Sequence, residues 1–434
     1  MKKIFQYIML AVVTIVMASC TSDIEETNAT TGKSNVQLFV GEFPTFGDSQ
    51  TRTIGEEDPG KTSWAEGDEL LLEMTSKTLG AKYAAFTYNG SKWELTSGEL
   101  AYKEDEVPTF PHVYYAPNYK WETSKLVLKE GKVAGTDEYI EGMANITGDG
   151  KEIKVSFSTA ARNYSRLRIA TIPNENITVA TEYFTPVAGS MEDSKEYSLT
   201  ADGNGNIFLY GDFVNNSTLN VKYNGTSLAA YTFTKASEDA KSYALDATVI
   251  SANSSDDIIS EVAQKIADGK TNINIILPSE TDVNVFGDIH SKMKSAAEGS
   301  IKLTLMGCKK IPSPGFRFWN ELKSIVLPDV TEIGQAAFDG CNNLQRIEFG
   351  NLTKVYGKEN TTYGIFDNCP TVMINLVLSK DQKIMKCSDL GNGQYCWTPD
   401  PTNKSYRNSQ EHLNRDFLGY IFNSIKCGDK IYTD

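Results

Sequence analysis

Phe316-x-x-Trp319-x-x-Leu322-x-x-Ile325 is a motif that the chain repeats. It returns after 22 residues as Phe338-x-x-Cys341-x-x-Leu344-x-x-Ile347, and after a further 28 as Phe366-x-x-Cys369-x-x-Val372. A unit this short cannot bury its apolar face alone, so copies must stack to form one continuous core. We therefore predict a short α/β solenoid with a repeat core of Phe316, Leu322, Ile325, Phe338, Cys341, Leu344, Ile347, Phe366, Cys369 and Val372.

The repeat domain is predicted to begin at residue 251, where the hydrophobic period changes. The segment from Asp256 to Ala267 has the apolar spacing of an amphipathic helix, with Asp256 or Asp257 as its cap. A second, weaker helical pattern runs from Asp288 to Ala297. The prediction is one domain over residues 251–434 with a capping helix at its N-terminal end.

This domain resembles a known family. The run Leu327-Pro328-x-Val330-Thr331-x-Ile333-Gly334-x-x-Ala337-Phe338 is similar to the BspA-like leucine-rich repeats of bacterial surface antigens, and the resemblance covers residues 271–434. It implies binding through an extended solenoid face. Insertions in repeat proteins gather on one face, so we expect the contact surface on the sheet face and on the insertion from Tyr356 to Thr362.

Upstream, residues 36–150 and 151–250 form two blocks of short strand patterns separated by turn residues. Asn89-Gly90 and Asn224-Gly225 are strong hairpin signals, because both residue types tolerate positive φ. Helical periodicity is nearly absent, which favours β-sandwich domains with Greek-key connections. The predicted fold class is therefore mainly β and multidomain: two Greek-key β-sandwiches followed by a short α/β leucine-rich repeat solenoid.

The stretches Thr51-Arg52-Thr53, Trp64-Ala65-Glu66-Gly67-Asp68 and Tyr114-Tyr115-Ala116-Pro117 resemble the fimbrillin-like lipoproteins of Bacteroidales. The resemblance covers residues 36–250 and implies two transthyretin-like β-sandwich domains. In that family an Arg-specific protease removes the first strand, and the next subunit fills the groove by strand addition. Arg52 is a candidate for this cleavage, or an ordinary loop residue. A repeat domain stands where stalk pilins have a donor strand, which favours a tip or accessory role.

The first nineteen residues have the order of a secretory signal. Lys2 and Lys3 precede an apolar run that is shorter than the roughly 18–20 residues needed to span a bilayer. Met17-Ala18-Ser19-Cys20 has the pattern of a bacterial lipobox, so Cys20 is the predicted site of lipidation. Residues 20–35 are predicted to be a flexible tether. Its acidic start resembles the export signal of Bacteroidales lipoproteins, which implies a lipid-anchored protein on the exterior of the outer membrane.

Composition limits the possible partners. The net charge is −14, without the clustered Lys and Arg that a nucleic-acid partner requires. Beyond Cys20 the chain has six cysteines, all in its last third, and no two of them have the spacing of a structural zinc site. The six are Cys308, Cys341, Cys369, Cys387, Cys396 and Cys427. The sequence does not decide whether they are free thiols or disulfides, and Cys387–Cys396 is the first pair to test.

The sequence offers little for catalysis. Its three histidines are His112, His290 and His412, and only His412 near Cys387 or Cys396 could form a nucleophilic pair. The turn that begins at Asp202 lacks the acidic pattern of a calcium loop. Trp64 and Trp93 could stack on a glycan, although Trp on sandwich strands is more often core. We predict no catalytic residue, no metal site and no cofactor, and a protein that is not an enzyme.

The resulting functional hypothesis is a surface-exposed lipoprotein that acts as an adhesin, or as a tip or accessory protein of a fimbria, through its repeat domain. Two alternatives stay open: a structural fimbrial subunit assembled by strand exchange, and a glycan-binding lipoprotein for nutrient capture. The predicted partners are the outer membrane through the lipid anchor, and a host protein, a glycan or other fimbrial subunits. Nucleic acid is not among them.

Overall fold

The structure is a computed structural model and describes residues 37–46, 60–103, 106–147, 152–251, 254–278, 284–355, 364–382, 385–386, 395–397 and 415–433. Several sequence predictions lie outside these residues. They are the signal peptide and tether, the lipidation site Cys20, the cleavage candidate Arg52, the insertion from Tyr356 to Thr362, Cys387, His412 and the side chain of Cys396.

The described chain is mainly β and multidomain, with strands in several separate sheets. The first unit contains ten strands: β1 (Gln37–Val40), β2 (Glu69–Ser76), β3 (Gly80–Tyr88), β4 (Trp93–Gly98), β5 (Thr109–Tyr115), β6 (Tyr119–Glu122), β7 (Lys125–Leu128), β8 (Ile140–Glu141), β9 (Met143–Thr147) and β10 (Glu152–Ser156). A three-stranded sheet, β1-β10-β9, faces a five-stranded sheet, β4-β3-β2-β5-β8. Apolar side chains of both sheets, such as Leu38, Leu70, Phe86 and Ile153, share one core.

Strand pairing moves the predicted boundary between the first two units. The sequence division at residues 150 and 151 assigns β10 to the second unit. In the structure β10 pairs with β1 in parallel and with β9 antiparallel, both of which belong to the first unit. Ile153 and Val155 are accordingly buried in the first core. The first unit therefore extends to Ser156, because the partners of that strand lie earlier in the chain.

The second unit is a single six-stranded sheet that packs around its own core. Its strands are β11 (Ser165–Ala170), β12 (Asn176–Pro186), β13 (Glu192–Thr200), β14 (Asn206–Tyr223), β15 (Thr226–Thr232) and β16 (Ser242–Asp246). The order is β13-β12-β14-β11-β16, and β15 pairs with β14. A register shift between Glu182 and Phe184 marks a bulge in β12. Bulges bend a strand, so β12 and β14 can pair along two differently directed halves.

A buried ion pair joins the first unit to the second. Arg162, in the connection between β10 and β11, places Nη2 3.0 Å from Glu138 Oε1, and both side chains are almost fully buried. Tyr164 donates its hydroxyl to Glu138 Oε2 at 2.6 Å. The Arg162 guanidinium also lies 4.2 Å from the ring centroid of Phe46. Hydrogen bonds on both carboxylate oxygens offset the cost of burying this charge.

The third unit contains two helices near its N-terminal end, α1 (Ser255–Ala267) and α2 (Asn284–Met293). Its strands are β17 (Val249–Ile250), β18 (Asn272–Ile276), β19 (Ile301–Met306), β20 (Lys310–Ile311), β21 (Leu322–Leu327), β22 (Glu332–Ile333), β23 (Arg346–Phe349), β24 (Lys354–Val355), β25 (Asn375–Leu378), β26 (Met385–Lys386), β27 (Tyr395–Trp397), β28 (Asp416–Phe417), β29 (Tyr420–Ile421), β30 (Ser424–Cys427) and β31 (Lys430–Tyr432). An eight-stranded sheet runs β17-β18-β19-β21-β23-β25-β30-β31, and its pairs are parallel up to β30.

The repeated phenylalanines form a stack inside this unit. The ring centroids of Phe316 and Phe338 are 5.3 Å apart, and those of Phe338 and Phe366 are 5.4 Å apart, with nearly parallel planes. All three rings are buried. Leu322, Ile325, Leu344, Ile347 and Cys341 are buried in the same core, and the half-buried Cys369 packs against it. The motif interval of 22 or 28 residues thus advances the chain by one strand of the sheet.

Val372 does not belong to this core. Its side chain is 58% exposed, in a 3-10 turn over Thr371–Met373. Ile374, two residues later, is fully buried and fills the core position instead. The register Ile347 to Leu376 spans 29 residues whereas Phe338 to Phe366 spans 28. The third copy therefore has a longer turn after Cys369, and the regular three-residue spacing fails there.

The four cysteines whose side chains are described are free thiols. Cys341 Sγ donates to the carbonyl oxygen of Phe316 at 3.0 Å, and Cys369 Sγ donates to that of Phe338 at 2.7 Å. Each thiol therefore bonds to the backbone of the preceding copy. Burial raises the pKa of Cys308, which keeps that thiol protonated at neutral pH.

Candidate binding cleft

A cleft of about 630 Å³ lies between the second unit and the parallel sheet of the third. One wall is formed by β15 and the last residues of β14, and the opposite wall by β18, β19, β21 and β23. Ligand pockets in proteins usually measure about 300–1,000 Å³, so the cleft is large enough for a ligand.

The polar wall of the cleft follows from strand alternation. Leu303, Ile325 and Ile347 are paired side by side in the sheet and point into the buried core. Their neighbours must then point to the other face, because successive side chains in a strand alternate. The first column on that face is Lys302, Ser324 and Arg346, and the second is Thr304, Val326 and Glu348. Each repeat copy therefore adds two side chains to the wall.

Charges in the cleft are mostly paired. Arg346 Nη2 lies 2.7 Å from Glu348 Oε2, within the same strand. Asp246, on the wall of the second unit, faces Lys265 at 3.8 Å and Lys270 at 4.0 Å. Lys302 forms no ion pair with a carboxylate in the described part of the chain. Its ammonium group is the positive charge that the cleft leaves for a ligand.

The opposite wall depends on a tight turn. Asn224 and Gly225 join β14 to β15 with φ values of 48° and 81°. Both angles are in the left-handed region that a type I′ hairpin requires. The Asn-Gly signal in the sequence therefore places β15 beside β14, with Ser227 Oγ donating to Asn220 Oδ1 at 2.6 Å.

Two asparagines of β18 connect the walls at one end of the cleft. Asn272 donates Nδ2 to the carbonyl oxygen of Leu228 at 2.8 Å and lies 3.4 Å from that of Asp246. Asn274 is fully buried and donates Nδ2 to the carbonyl oxygen of Thr248 at 3.1 Å. Met306, at the end of β19, packs into the core of the second unit. These contacts fix the two walls relative to each other.

The two histidines that the structure describes have structural contacts. His290 stacks on Trp319 with ring centroids 4.6 Å apart and places Nε2 3.2 Å from Glu321 Oε2. Burial lowers the pKa of His290, which leaves the imidazole neutral at pH 7. His112 lies on β5 with Nδ1 3.0 Å from Glu141 Oε1. Over the ranges that the structure describes, no three His, Cys, Asp or Glu side chains converge as a metal site requires.

Trp64 and Trp93 form an aromatic cluster beside the first core. Their ring centroids are 5.2 Å apart, and Trp64 also packs edge-on against Phe43 and Tyr115. Trp64 Nε1 donates to the carbonyl oxygen of Gly41 at 2.8 Å. The cluster holds the segment after β1 against the body of the first unit. Within the described residues, no helix has the length and apolar character needed to cross a bilayer.

Sequence reasoning predicted a binding surface on the sheet face but missed the second wall. The alternation of Lys302 with Thr304, and of Arg346 with Glu348, is visible in the sequence and locates one wall. The contribution of β15 depends on how the second and third units are joined. The bonds from Asn272 that set this arrangement have no sequence signal that we can identify.

Fold and cleft together define a mainly β, multidomain protein with an interdomain cleft. No family model matches the chain, and no curated protein matches it. The chain is similar to the crystal structure of a candidate cell adhesion protein from Bacteroides fragilis, with 12% sequence identity and a TM-score of 0.26. The match covers 49% of this chain and 92% of that one. A similarity this low carries no argument about function.

Proposed function

We propose that this protein is a cell-surface adhesin that holds its ligand in the interdomain cleft. The observation that carries the proposal is the cleft of about 630 Å³ with polar walls from two units. A cleft fixed by buried contacts can bind a ligand without first being ordered, which lowers the entropic cost of association. Its side chains come from successive strands, so several modest contacts would add up along an extended ligand.

We further propose that the third unit is a BspA-like leucine-rich repeat solenoid and that the first two units are fimbrillin-like Greek-key sandwiches. The stacked rings of Phe316, Phe338 and Phe366 and the parallel strand ladder support the first assignment. The two facing sheets of the first unit support the second assignment there. In the second unit the support is the bulge in β12, which can bend its one sheet around a core of its own. In this interpretation the protein has no catalytic role and needs no cofactor.

The proposed location is the exterior of the outer membrane, with lipid on Cys20 as the anchor. The signal-like first nineteen residues support it. The acyl chains on one lipidated cysteine would hold the protein durably, since each buried CH₂ contributes about 0.8 kcal/mol. Metabolic labelling with a radioactive fatty acid tests the anchor: label should enter the protein and be absent from Cys20→Ser.

Binding of the full-length protein to a polysaccharide array and to purified host matrix proteins tests the cleft. The variant is Lys302→Glu with Arg346→Glu, which reverses two charges on the cleft wall. The matched control is Lys309→Glu with Lys310→Glu, which makes the same change at two exposed lysines of the same unit outside the cleft.

The proposal predicts that the cleft variant loses at least tenfold in affinity while the control stays within twofold. Removing a charged hydrogen-bond donor from a ligand contact typically costs about 1.5–3 kcal/mol, which corresponds to this loss. Equal affinities for both variants would show that the ligand binds elsewhere. Hydrolysis of an array component by purified protein would instead support an enzyme.

A further inference from the structure

The outer edge of β15 is unpaired in the part of the chain that the structure describes. β15 pairs with β14 on one side, and no described strand pairs with it on the other. Just beyond β15, Phe233 donates its N–H to Ser217 and accepts a bond from the N–H of Asn216. Residues of an antiparallel strand bond alternately to one side and the other. The N–H and C=O groups of Ala230 and Thr232 must therefore point to the open edge.

This open edge faces the cleft. Ala230 lines the cleft, and both Ala230 and Thr232 are exposed. Outside the β14–β15 ladder, the backbone groups of these two residues form no hydrogen bond with any residue that the structure describes. Two residues before Ala230, the carbonyl oxygen of Leu228 already accepts a bond from Asn272 of the opposite wall. The edge is thus both available and directed at the ligand space.

We propose that the ligand is an extended, acidic polypeptide segment that adds to β15 as a further strand. This inference rests on the proposed function, because it identifies the ligand class of the same cleft. An unpaired strand edge is a template for another chain, and proteins usually block such edges with Lys or Pro. The edge of β15 instead presents Ala230 and Thr232, whose short side chains leave the backbone accessible. Five residues of added strand would extend about 16 Å.

The acidic character follows from the charges of the cleft. Arg346 and Glu348 neutralise each other, and Asp246 faces two lysines. Lys302 is left without a carboxylate partner among the described residues. An added strand would direct alternate side chains at the sheet wall, so an Asp or Glu of the ligand could reach Lys302.

The lining favours a peptide over a glycan. No aromatic side chain of the described residues lines the cleft, whereas aromatic rings are the usual stacking surface for an apolar ligand face. The outward backbone groups of Ala230 and Thr232 repeat every second residue, which matches a β-strand. Main-chain hydrogen bonds would supply affinity and the column containing Lys302 would supply specificity.

The experiment pans a phage-displayed library of random dodecapeptides against the full-length protein. Selected peptides are synthesised with a fluorophore and their affinity is measured by fluorescence anisotropy. The key variant is Ala230→Pro, which removes the outward N–H and leaves the bonds to β14 intact. Its matched control is Ala230→Ser, which keeps the N–H. Circular dichroism checks that each variant is folded.

The inference predicts that selected peptides are rich in Asp and Glu. Ala230→Pro should weaken their binding about tenfold, as the loss of one main-chain bond implies, and Ala230→Ser should change it less than twofold. Lys302→Glu should weaken it as well. Hydrogen exchange gives a second test that needs no variant: the amides of Ala230 and Thr232 should exchange more slowly once peptide is bound.

Several results would overturn the inference. Peptides that bind a folded Ala230→Pro variant as tightly as the unaltered protein would exclude strand addition, as would unchanged exchange at both amides. Dimers of the protein that Ala230→Pro abolishes would show that a second copy occupies the edge. If only polysaccharides bind, and Lys302→Glu with Arg346→Glu abolishes that binding, the ligand class is wrong but the cleft function stands. If nothing binds the cleft, both proposals fail.

Discussion

Replacing Phe338 by alanine tests whether the stacked rings hold the third unit together. Phe338 is fully buried between Phe316 and Phe366, with centroids 5.3 and 5.4 Å away. A third ring, Phe349, packs edge-on at 5.9 Å. The alanine side chain would leave a cavity that three rigid neighbours cannot easily fill.

The expected loss follows from these contacts. Truncating a buried Phe to Ala costs about 3–5 kcal/mol, including the cavity that remains. Aromatic pairs add about 0.5–1.5 kcal/mol each, and Phe338 takes part in three, which favours the upper end of that range. Because whole domains are stable by only about 5–15 kcal/mol, we expect a loss of about 4–5 kcal/mol to open this unit measurably.

Hydrogen exchange with mass spectrometry measures the change unit by unit. Peptides from β19, β21, β23 and β25 should lose protection in Phe338→Ala, while peptides from the first unit should not. The matched control is Phe318→Ala, the same truncation at a ring that is 51% exposed. The control should lose about 1 kcal/mol or less. Similar protection in the two variants would refute the idea that the stack carries the stability of this unit.

Three further predictions concern other contacts. Arg162→Met leaves the buried Glu138 carboxylate without its ion-pair partner and should lower the free energy of unfolding by about 3–5 kcal/mol, measured by chemical denaturation. Adding Glu138→Gln should restore part of this loss. Full additivity of the two changes would contradict the pairing. Val372→Ser should change the free energy of unfolding by less than about 0.5 kcal/mol, because the side chain is mostly exposed. A larger loss would show that Val372 is part of the buried core. Burial lowers the pKa of His290 below its usual value of about 6.5, so as pH falls the unfolded chain takes up this proton first and stability is lost. Thermal melts from pH 7 to pH 5 should therefore show a smaller loss for His290→Gln than for the unaltered protein, although Glu321 and Lys294 also act on this imidazole; parallel losses would exclude its contribution.

The sequence located the stacked rings of the third unit where its period was strict. Phe316 and Phe338 are separated by 22 residues, and the strands that follow them pair in register. The prediction failed at Val372, where a longer turn shifts the core position to Ile374. A period locates stacked residues only while each copy has the same length, and turn length is set by local backbone conformation.

Helix ends were less predictable than helix existence. Ser254 caps α1 by accepting a bond from the N–H of Asp257, whereas the sequence suggested Asp256 or Asp257 as the cap. The second helix ends at Met293, four residues before the predicted Ala297. Ser and Asp are about equally good N-caps, so sequence alone does not choose among neighbouring candidates.

Contacts between units were not predictable from the sequence. From its position in the chain, β10 could belong to either the first or the second unit. Only its pairing with β1 shows that it belongs to the first. The open edge of β15 also has no sequence signal, because Ala230 and Thr232 are ordinary strand residues. The role proposed for them depends on where the third unit lies, which Asn272 and Met306 fix.

The two walls of the cleft contribute different chemistry, so the proposed binding requires the second and third units to stay in contact. The third unit supplies Lys302, which can select charge but not an extended backbone. The second unit supplies the edge of β15, which can pair with any strand but has no charge selectivity of its own. Selective capture of an acidic strand therefore needs both walls at a fixed separation. A surface protein that binds in this way depends on its interdomain contacts as directly as on the residues that touch the ligand.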